Sequence, residues 1–147
     1  GNKMETSALY DKMEEENINY VNANLIFTRG AIAHYHDLTA IVVDDNQVKS
    51  QVSENTVLIE ELGHYMAGAY YRTNSEYELI EKMEHKADKK AWINFFPYEK
   101  IKELMENGLT TVTQIAEYFD VEPSYMARCL NYYYNQSDGF TKDHLSI

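Results

Sequence analysis

The sequence predicts an α+β fold, with a small sheet of about three strands near the front, two long helices in the middle and three short helices behind them. One observation behind this prediction is the apolar period, which changes from two residues before about Val52 to nearly 3.6 residues after it. The other is size, because 147 residues with 44% apolar content suffice for one domain with a hydrophobic core.

The first third of the chain predicts one helix and the strands. The elements are, in order, a helix over 7–16, an irregular asparagine-rich stretch over 17–24, an edge strand over 25–27, and strands over 31–36 and 39–44. Thr6 or Ser7 is expected to cap the helix, and Asp37 with Leu38 forms the turn between the last two strands. The run over 39–44 is β-branched and nearly continuous, which predicts a central strand.

Five further helices are predicted where apolar residues recur at helical spacing. They cover 53–69, 76–96, 98–106, 111–119 and 123–134, with a polar connection over 70–75. Ser53 and Ser75 are the expected N-caps of the two long helices, and Pro97 ends the second. Asn107 and Gly108 close the helix that follows Pro97.

Three segments are expected from this pattern. Residues 1–97 form the core, residues 98–135 form a three-helix tail packed on it, and residues 136–147 form a flexible C-terminus. Gly1 is interpreted as a remnant of a cleaved tag, and the residues after it lack the apolar centre of a signal peptide. No apolar run approaches the roughly 20 residues that a membrane-spanning helix needs, so we expect a cytoplasmic protein with no membrane partner.

Charge and cysteine content exclude several function classes. The net charge is −11, from 13 basic and 24 acidic residues, and such a chain is repelled by a phosphate backbone. Nucleic acid is therefore not expected as a partner. Cys129 is the single cysteine, so neither an internal disulfide nor a cysteine zinc site can form.

The predicted helix over 53–69 carries three ionisable groups on one arc. At about 100° per residue, Glu60, Glu61 and His64 fall within about 100° of one another. Glu60 and His64 are one turn apart and can bind the same ion, whereas Glu61 is offset and can reach a bound water. The alternative is a solvated helix face with a Glu–His pair.

The second long helix offers a third ligand. Glu84 interrupts its apolar stripe, and a carboxylate there is costly unless it is paired or binds a metal. The alternatives are that Glu84 pairs with Arg72 or a lysine, or lies at the rim. His85 is an alternative metal ligand, while His34 and His36 alternate on a strand edge and are expected to face solvent.

Three stretches of the sequence resemble one family. They are V-L-I-E-E-L-G-H-Y over 57–65, E-H-K-A-D-K-K-A-W over 84–92, and Pro97 followed by I-A-E-Y-F-D-V over 115–121. In this order and spacing they are similar to the ImmA/IrrE metallopeptidase family, in its phage and mobile-element form. The likeness covers roughly residues 20–135.

The resemblance implies a zincin-like fold and a peptidase that cleaves a protein substrate, such as a helix-turn-helix repressor. It implies that Glu60, His64 and Glu84 hold the metal, that Glu61 activates the water, and that Tyr65 orients substrate. Glu60 stands where the founding motif has histidine. The donor set is therefore richer in oxygen, and manganese or another divalent ion competes with zinc, which remains the first choice.

Two rival interpretations stay open. The tail has the residue pattern of a helix-turn-helix, and a DNA-binding protein of this type would direct Ser124, Tyr125 and Arg128 toward the groove. The tail has few cations, which favours a packing or protein-docking role over DNA binding. The second rival is a weak or inactive metallopeptidase fold that acts as a protein-binding regulatory module.

Overall fold

The computed structural model describes residues 6–68 and 77–136 and confirms the α+β class, with six helices and one three-stranded mixed sheet in those residues. The elements are α1 (Thr6–Glu15), β1 (Ile18–Asn22), β2 (Gly30–Tyr35), β3 (Leu38–Val43), α2 (Gln51–Ala67), α3 (Tyr77–Phe95), α4 (Tyr98–Glu106), α5 (Val112–Phe119) and α6 (Pro123–Gln136). Within the same two ranges, no helix is both long and apolar enough to cross a membrane. The zincin-like arrangement and the helix-turn-helix shape of the tail stay predictions.

The sheet has the order β1-β3-β2, so the β-branched strand is central, as predicted. Strand β1 pairs in parallel with β3, with Ile18 opposite Thr39. Strand β2 pairs antiparallel with β3, with Tyr35 opposite Leu38. The hairpin turn between them includes His36, whose φ of 54° lies in the left-handed region.

Two predictions for the front of the chain are wrong. The stretch over 17–24 was expected to be irregular but contains β1, and the stretch over 25–27 was expected to be a strand but is a loop. Two side chains that follow β3 hold that loop in place. Asp44 accepts a hydrogen bond from the Leu25 N–H at 2.9 Å, and Gln47 Nε2 donates to the carbonyls of Leu25 and Thr28 at 3.0 Å each.

Helix α2 is the central element of the molecule. It begins after Ser50, whose hydroxyl accepts a hydrogen bond from the Ser53 N–H at 3.1 Å, so the N-cap is Ser50 and not the predicted Ser53. It ends at Gly68, whose φ of 62° suits a residue without a side chain. Helix α2 is buried on almost every side, and the arc bearing Glu61 and His64 is buried with it.

Helices α2 and α3 cross at close range. A Cβ atom added at Gly63 would lie 2.5 Å from the Ala87 carbonyl oxygen and 2.8 Å from the Ala91 Cβ. Only glycine fits between the two helices at this point. The crossing therefore brings the second half of α2 against the middle of α3, and it sets the distance between the ionisable groups on the two helices.

The remaining helices begin and end close to the predicted positions. Helix α4 covers 98–106 as predicted, and α5 follows Thr111, which forms a reciprocal capping box with Gln114. Helix α6 begins at Pro123 and extends two residues beyond the predicted end, to Gln136. The predicted cap at Ser75, the connection over 70–75 and the tail after residue 136 lie outside the described residues.

One hydrophobic core runs from α1 to α6. It includes fully buried side chains from both sides of residue 97, among them Leu58, Phe96, Ile101 and Met126. The buried Asn55 carboxamide joins the two ends of this core, because it accepts from the Thr6 hydroxyl at 2.6 Å and donates to the Asp120 carbonyl at 3.0 Å.

Candidate functional site

The crossing of α2 and α3 brings His64 and Glu84 together. The His64 Nε2 atom lies 3.2 Å from the Glu84 carboxylate oxygens. Two ligand atoms bound at about 2.0–2.2 Å to one tetrahedral zinc ion lie about 3.3–3.6 Å apart. The observed spacing is that of a hydrogen bond and is slightly shorter than that of two ligands of one ion. The His64 side chain is only 8% exposed, whereas Glu84 is 42% exposed and lies at the rim.

Glu61 lies in the same turn of α2 as His64, the residue that contacts Glu84 of α3. Its residue is 8% exposed, and burial raises the pKa of its carboxyl to about 7. His64 partly counters this rise, while Glu60 and Glu84 add to it. A carboxyl that titrates near neutrality can both accept and return a proton at physiological pH.

Glu60 is directed to a different partner. Its carboxylate lies 3.8 Å from Arg29 Nη2, and Arg29 in turn donates two hydrogen bonds of 2.7 Å to Glu122. The Ser53 hydroxyl donates to the same Glu122 carboxylate at 2.9 Å. Burial raises the pKa of Glu60 to about 7, although the Arg29 charge opposes the rise. Glu60 therefore belongs to a charge cluster that links α2, the loop before β2 and the turn between α5 and α6.

The predicted metal ligands are thus brought together only in part. Within residues 6–68 and 77–136, no group of three or more His, Cys, Asp or Glu side chains is close enough to hold one ion. The imidazole and carboxylate chemistry of His64 and Glu84 fits a divalent cation, whereas Glu60, in its observed contact with Arg29, does not complete the set.

The two remaining predicted site residues lie elsewhere. The Tyr65 hydroxyl donates to Glu16 at 3.1 Å, which directs it to the end of α1. His85 is exposed on α3 and lines a cavity beside the site. His34, on β2, lies 2.8 Å from the Thr39 hydroxyl through Nδ1.

The structure adds Asp88, which the sequence did not single out, and it gives Arg128 a partner other than the groove considered above. Asp88 is 8% exposed and forms an ion pair with Arg128 of α6. Burial raises the pKa of Asp88, the Arg128 charge counters the rise, and Glu84 adds to it. Two features of the sequence could have indicated this ion pair. Asp88 follows Glu84 by one helical turn, and Arg128 is the single cation of α6.

The orientation considered for a DNA reader is wrong for Tyr125. Its side chain is 2% exposed and packs against Trp92 and Phe96, at ring-centroid distances of 6.2 and 6.1 Å. Arg128 is engaged with Asp88 and lies 5.8 Å from the Trp92 ring. Of the three residues, Ser124 alone is exposed and without such a contact in the described part of the chain.

No family model matches the chain, and no curated protein or solved structure is significantly similar to it. The likeness to ImmA/IrrE peptidases consequently rests on the three sequence stretches given above and stays a prediction. What the site does has to be argued from His64, Glu84 and Glu61.

Proposed function

We propose that this protein is a metal-dependent endopeptidase of the ImmA/IrrE type that cleaves a protein substrate, such as a helix-turn-helix repressor. The observation that supports it most is the 3.2 Å approach of His64 to Glu84 beside a buried Glu61 whose pKa is about 7. A metal site and a proton acceptor beside it are the two parts that metal-assisted hydrolysis requires. A repressor substrate would require a cytoplasmic location.

His64 and Glu84 would hold the ion, with Glu60 as the predicted third ligand. Zinc is the first choice, and the two carboxylates also suit manganese. When bound, such an ion supplies Lewis-acid polarisation of a carbonyl and of a water molecule.

Glu61 performs the proton transfers in this proposal. Its carboxylate takes a proton from the attacking water and returns that proton to the leaving amine nitrogen. Because its pKa is about 7, neither protonation state is strongly disfavoured at neutral pH. Its burial also limits exchange of that proton with bulk water.

The test measures metal content and cleavage in the same samples. Protein loaded with zinc or manganese is expected to cleave a cognate repressor, and Glu61→Gln is expected to reduce the rate by about 10²–10⁴-fold while it keeps the metal. Glu99→Gln, at an exposed position of α4, is the matched control and should cleave at the wild-type rate. Absence of stoichiometric metal under every loading condition, or equal rates for wild type and Glu61→Gln, would contradict the proposal.

One observation favours a second candidate, the protein-binding module without catalysis. The Arg29 guanidinium contacts both Glu60 and Glu122, so it offsets part of their negative charge without an ion. Titration calorimetry with zinc and manganese distinguishes the two candidates. An endopeptidase should bind an ion, and Arg29→Gln, which releases Glu60, should bind it more tightly. A module should bind none in either form.

A further inference from the structure

A cavity of about 310 Å³ lies between α3 and α6, one helical turn along α3 from Glu84. Its walls include Asp88 and Trp92 from α3 and Arg128, Asn131, Tyr132 and Asn135 from α6. At roughly 30 Å³ per water molecule, this volume equals about ten waters, which is room for one large side chain and its adjoining backbone. The size and position of the cavity fit a part of a polypeptide beside the proposed catalytic site.

The charges on the walls compensate one another. Asp88 and Arg128 form an ion pair, and the Arg128 guanidinium also lies over the Trp92 and Tyr125 rings, at 5.8 and 5.9 Å from their centroids. Neither charge is left to attract a ligand of opposite sign. Apart from this pair, the exposed His85 imidazole lines the cavity. A charged group that entered would lose hydration for at most that one partner, so an uncharged side chain is favoured.

Two aromatic rings supply the apolar surface. Trp92 and Tyr132 have ring centroids 5.6 Å apart and planes inclined by 42°. The Trp92 residue is 3% exposed, and its Nε1 atom has no hydrogen-bond partner among the described residues. Indole nitrogen is a donor only, and because this atom is buried, an acceptor such as a peptide carbonyl would reach it only after neighbouring side chains move.

The outer wall carries two carboxamides one turn apart, on Asn131 and Asn135 of α6. Both residues are exposed, and neither side chain makes a hydrogen bond to another described residue. A carboxamide offers one acceptor and a pair of donors, the same groups that an extended peptide backbone presents. The wall is therefore suited to hold a backbone strand irrespective of its sequence.

We propose that this cavity binds an extended peptide segment through one aromatic or aliphatic side chain, while Asn131 and Asn135 hydrogen bond the flanking backbone. The identity of that segment as the substrate rests on the proposed function, but binding itself needs no metal. The cavity would then select an uncharged residue close to the scissile bond.

The test uses capped pentapeptides, N-acetyl-Gly-Ser-X-Ser-Gly-amide, with Phe, Leu, Glu or Lys at X. Trp92 is the only tryptophan of the chain, so its fluorescence reports on the cavity directly. The Phe and Leu peptides should give saturable changes, and the Glu and Lys peptides should bind at least about tenfold more weakly. Amide signals in ¹⁵N NMR spectra provide the second readout, and a panel that moves neither signal overturns the proposal.

Variants separate the cavity from the rest of the site. Asn131→Ala/Asn135→Ala should weaken the Phe peptide about tenfold, because two hydrogen bonds are lost while alanine favours the helix. Asn94→Ala, at an exposed position of α3 two residues after Trp92, is the control and should bind as wild type does. Unchanged affinity in the double variant overturns the proposal. Peptide binding without any metal binding would leave the cavity assignment standing and remove the proposed peptidase. Cleavage of a substrate whose KM the double variant does not raise would do the reverse.

Discussion

Glu60 and Glu61 are adjacent in α2 but have different surroundings. Glu60 has a side chain that is 31% exposed and lies 3.8 Å from Arg29, a cation that stays charged at all relevant pH values. Glu61 is 8% exposed, and the charge that most opposes the rise of its pKa is that of His64. Burial raises the pKa of both carboxyls to about 7, and Glu61 is the less exposed of the two.

Stability of the metal-free protein should fall with pH because of Glu61. Its pKa rises from about 4.5 to about 7 on folding, so the folded chain binds the proton more tightly and the free energy of unfolding decreases as pH rises through that window. Glu61→Gln mimics the protonated acid. We expect it to match wild type at pH 4.5 and to exceed it at pH 8 by about 3 kcal/mol.

Urea unfolding in EDTA at the two pH values measures this difference. Glu99→Gln provides the control, because substitution of an exposed side chain should change stability by the same small amount at both pH values. A Glu61→Gln variant that is less stable than wild type at pH 8 would show that the carboxylate form is the one the fold favours.

At the scale of elements, the contact between α2 and α3 depends on one position. The Ala87 carbonyl and the Ala91 methyl approach Gly63 from α3, and the first of these is backbone that cannot rotate away. His64 follows Gly63 directly, so the spacing of the helices at Gly63 sets the distance from His64 to Glu84. The glycine of the E-E-L-G-H stretch has a structural role beside the chemical roles of its neighbours.

Gly63→Ala is expected to destabilise the protein by about 1–3 kcal/mol, because α2 and α3 must separate to admit the methyl group. Glycine to alanine inside a helix would otherwise stabilise it by about 0.5–1 kcal/mol. Thermal and urea unfolding measure the change. Combining Gly63→Ala with Ala91→Gly removes one of the two clashes and should restore part of the loss. A stabilised Gly63→Ala variant would contradict the close crossing.

The elements differ in how well the sequence predicts them. The start of helix α5 depends on neighbouring residues, because Thr111 and Gln114 form its capping box. The end of α3 is likewise marked locally, by Pro97. Strand β1 was not predictable in this way, because its partner is a strand about twenty residues away, and the 25–27 loop is fixed by Asp44 and Gln47.

The site residues also differ in how well the sequence predicts their contacts. Helical spacing predicts that Glu60 and His64 share an arc of α2, and the apolar stripe of α3 singles out Glu84 as a partner. No local pattern predicts that Arg29, from the loop before β2, lies against Glu60 and Glu122. Contacts between distant segments decide which of the predicted ligands meet.

On the scale of the whole molecule, the core is continuous across residue 97. The Tyr133 hydroxyl of α6 donates its one proton to a hydrogen bond shared by the Phe96 and Trp92 carbonyls at the end of α3, at 2.7 and 3.2 Å. Arg29 joins the front of the chain to Glu122, and Asn55 joins it to Asp120. Residues before and after position 97 therefore contribute to the same hydrophobic core.

A fragment of residues 1–97 is expected not to fold alone. It loses Ile101, Ile115, Met126 and Leu130, each fully buried and each worth about 1.5–3 kcal/mol, against a typical total stability of about 5–15 kcal/mol. Near-ultraviolet circular dichroism and NMR dispersion of the fragment measure the loss. Addition of the 98–147 fragment should restore the native spectrum. A cooperative unfolding transition in the 1–97 fragment alone would contradict this expectation.

The buried Asn55 amide has a consequence for synthesis of the chain. Its partner at Asp120 follows 65 residues later. At ribosomal rates of about 5–20 residues per second, that interval lasts about 3–13 s. For most of this time α1 and α2 are already made, but the carboxamide that they bury lacks its acceptor. A nascent chain paused before Asp120 should hence be a target for chaperones, and synonymous codons that slow translation in that interval should lower the yield of folded protein.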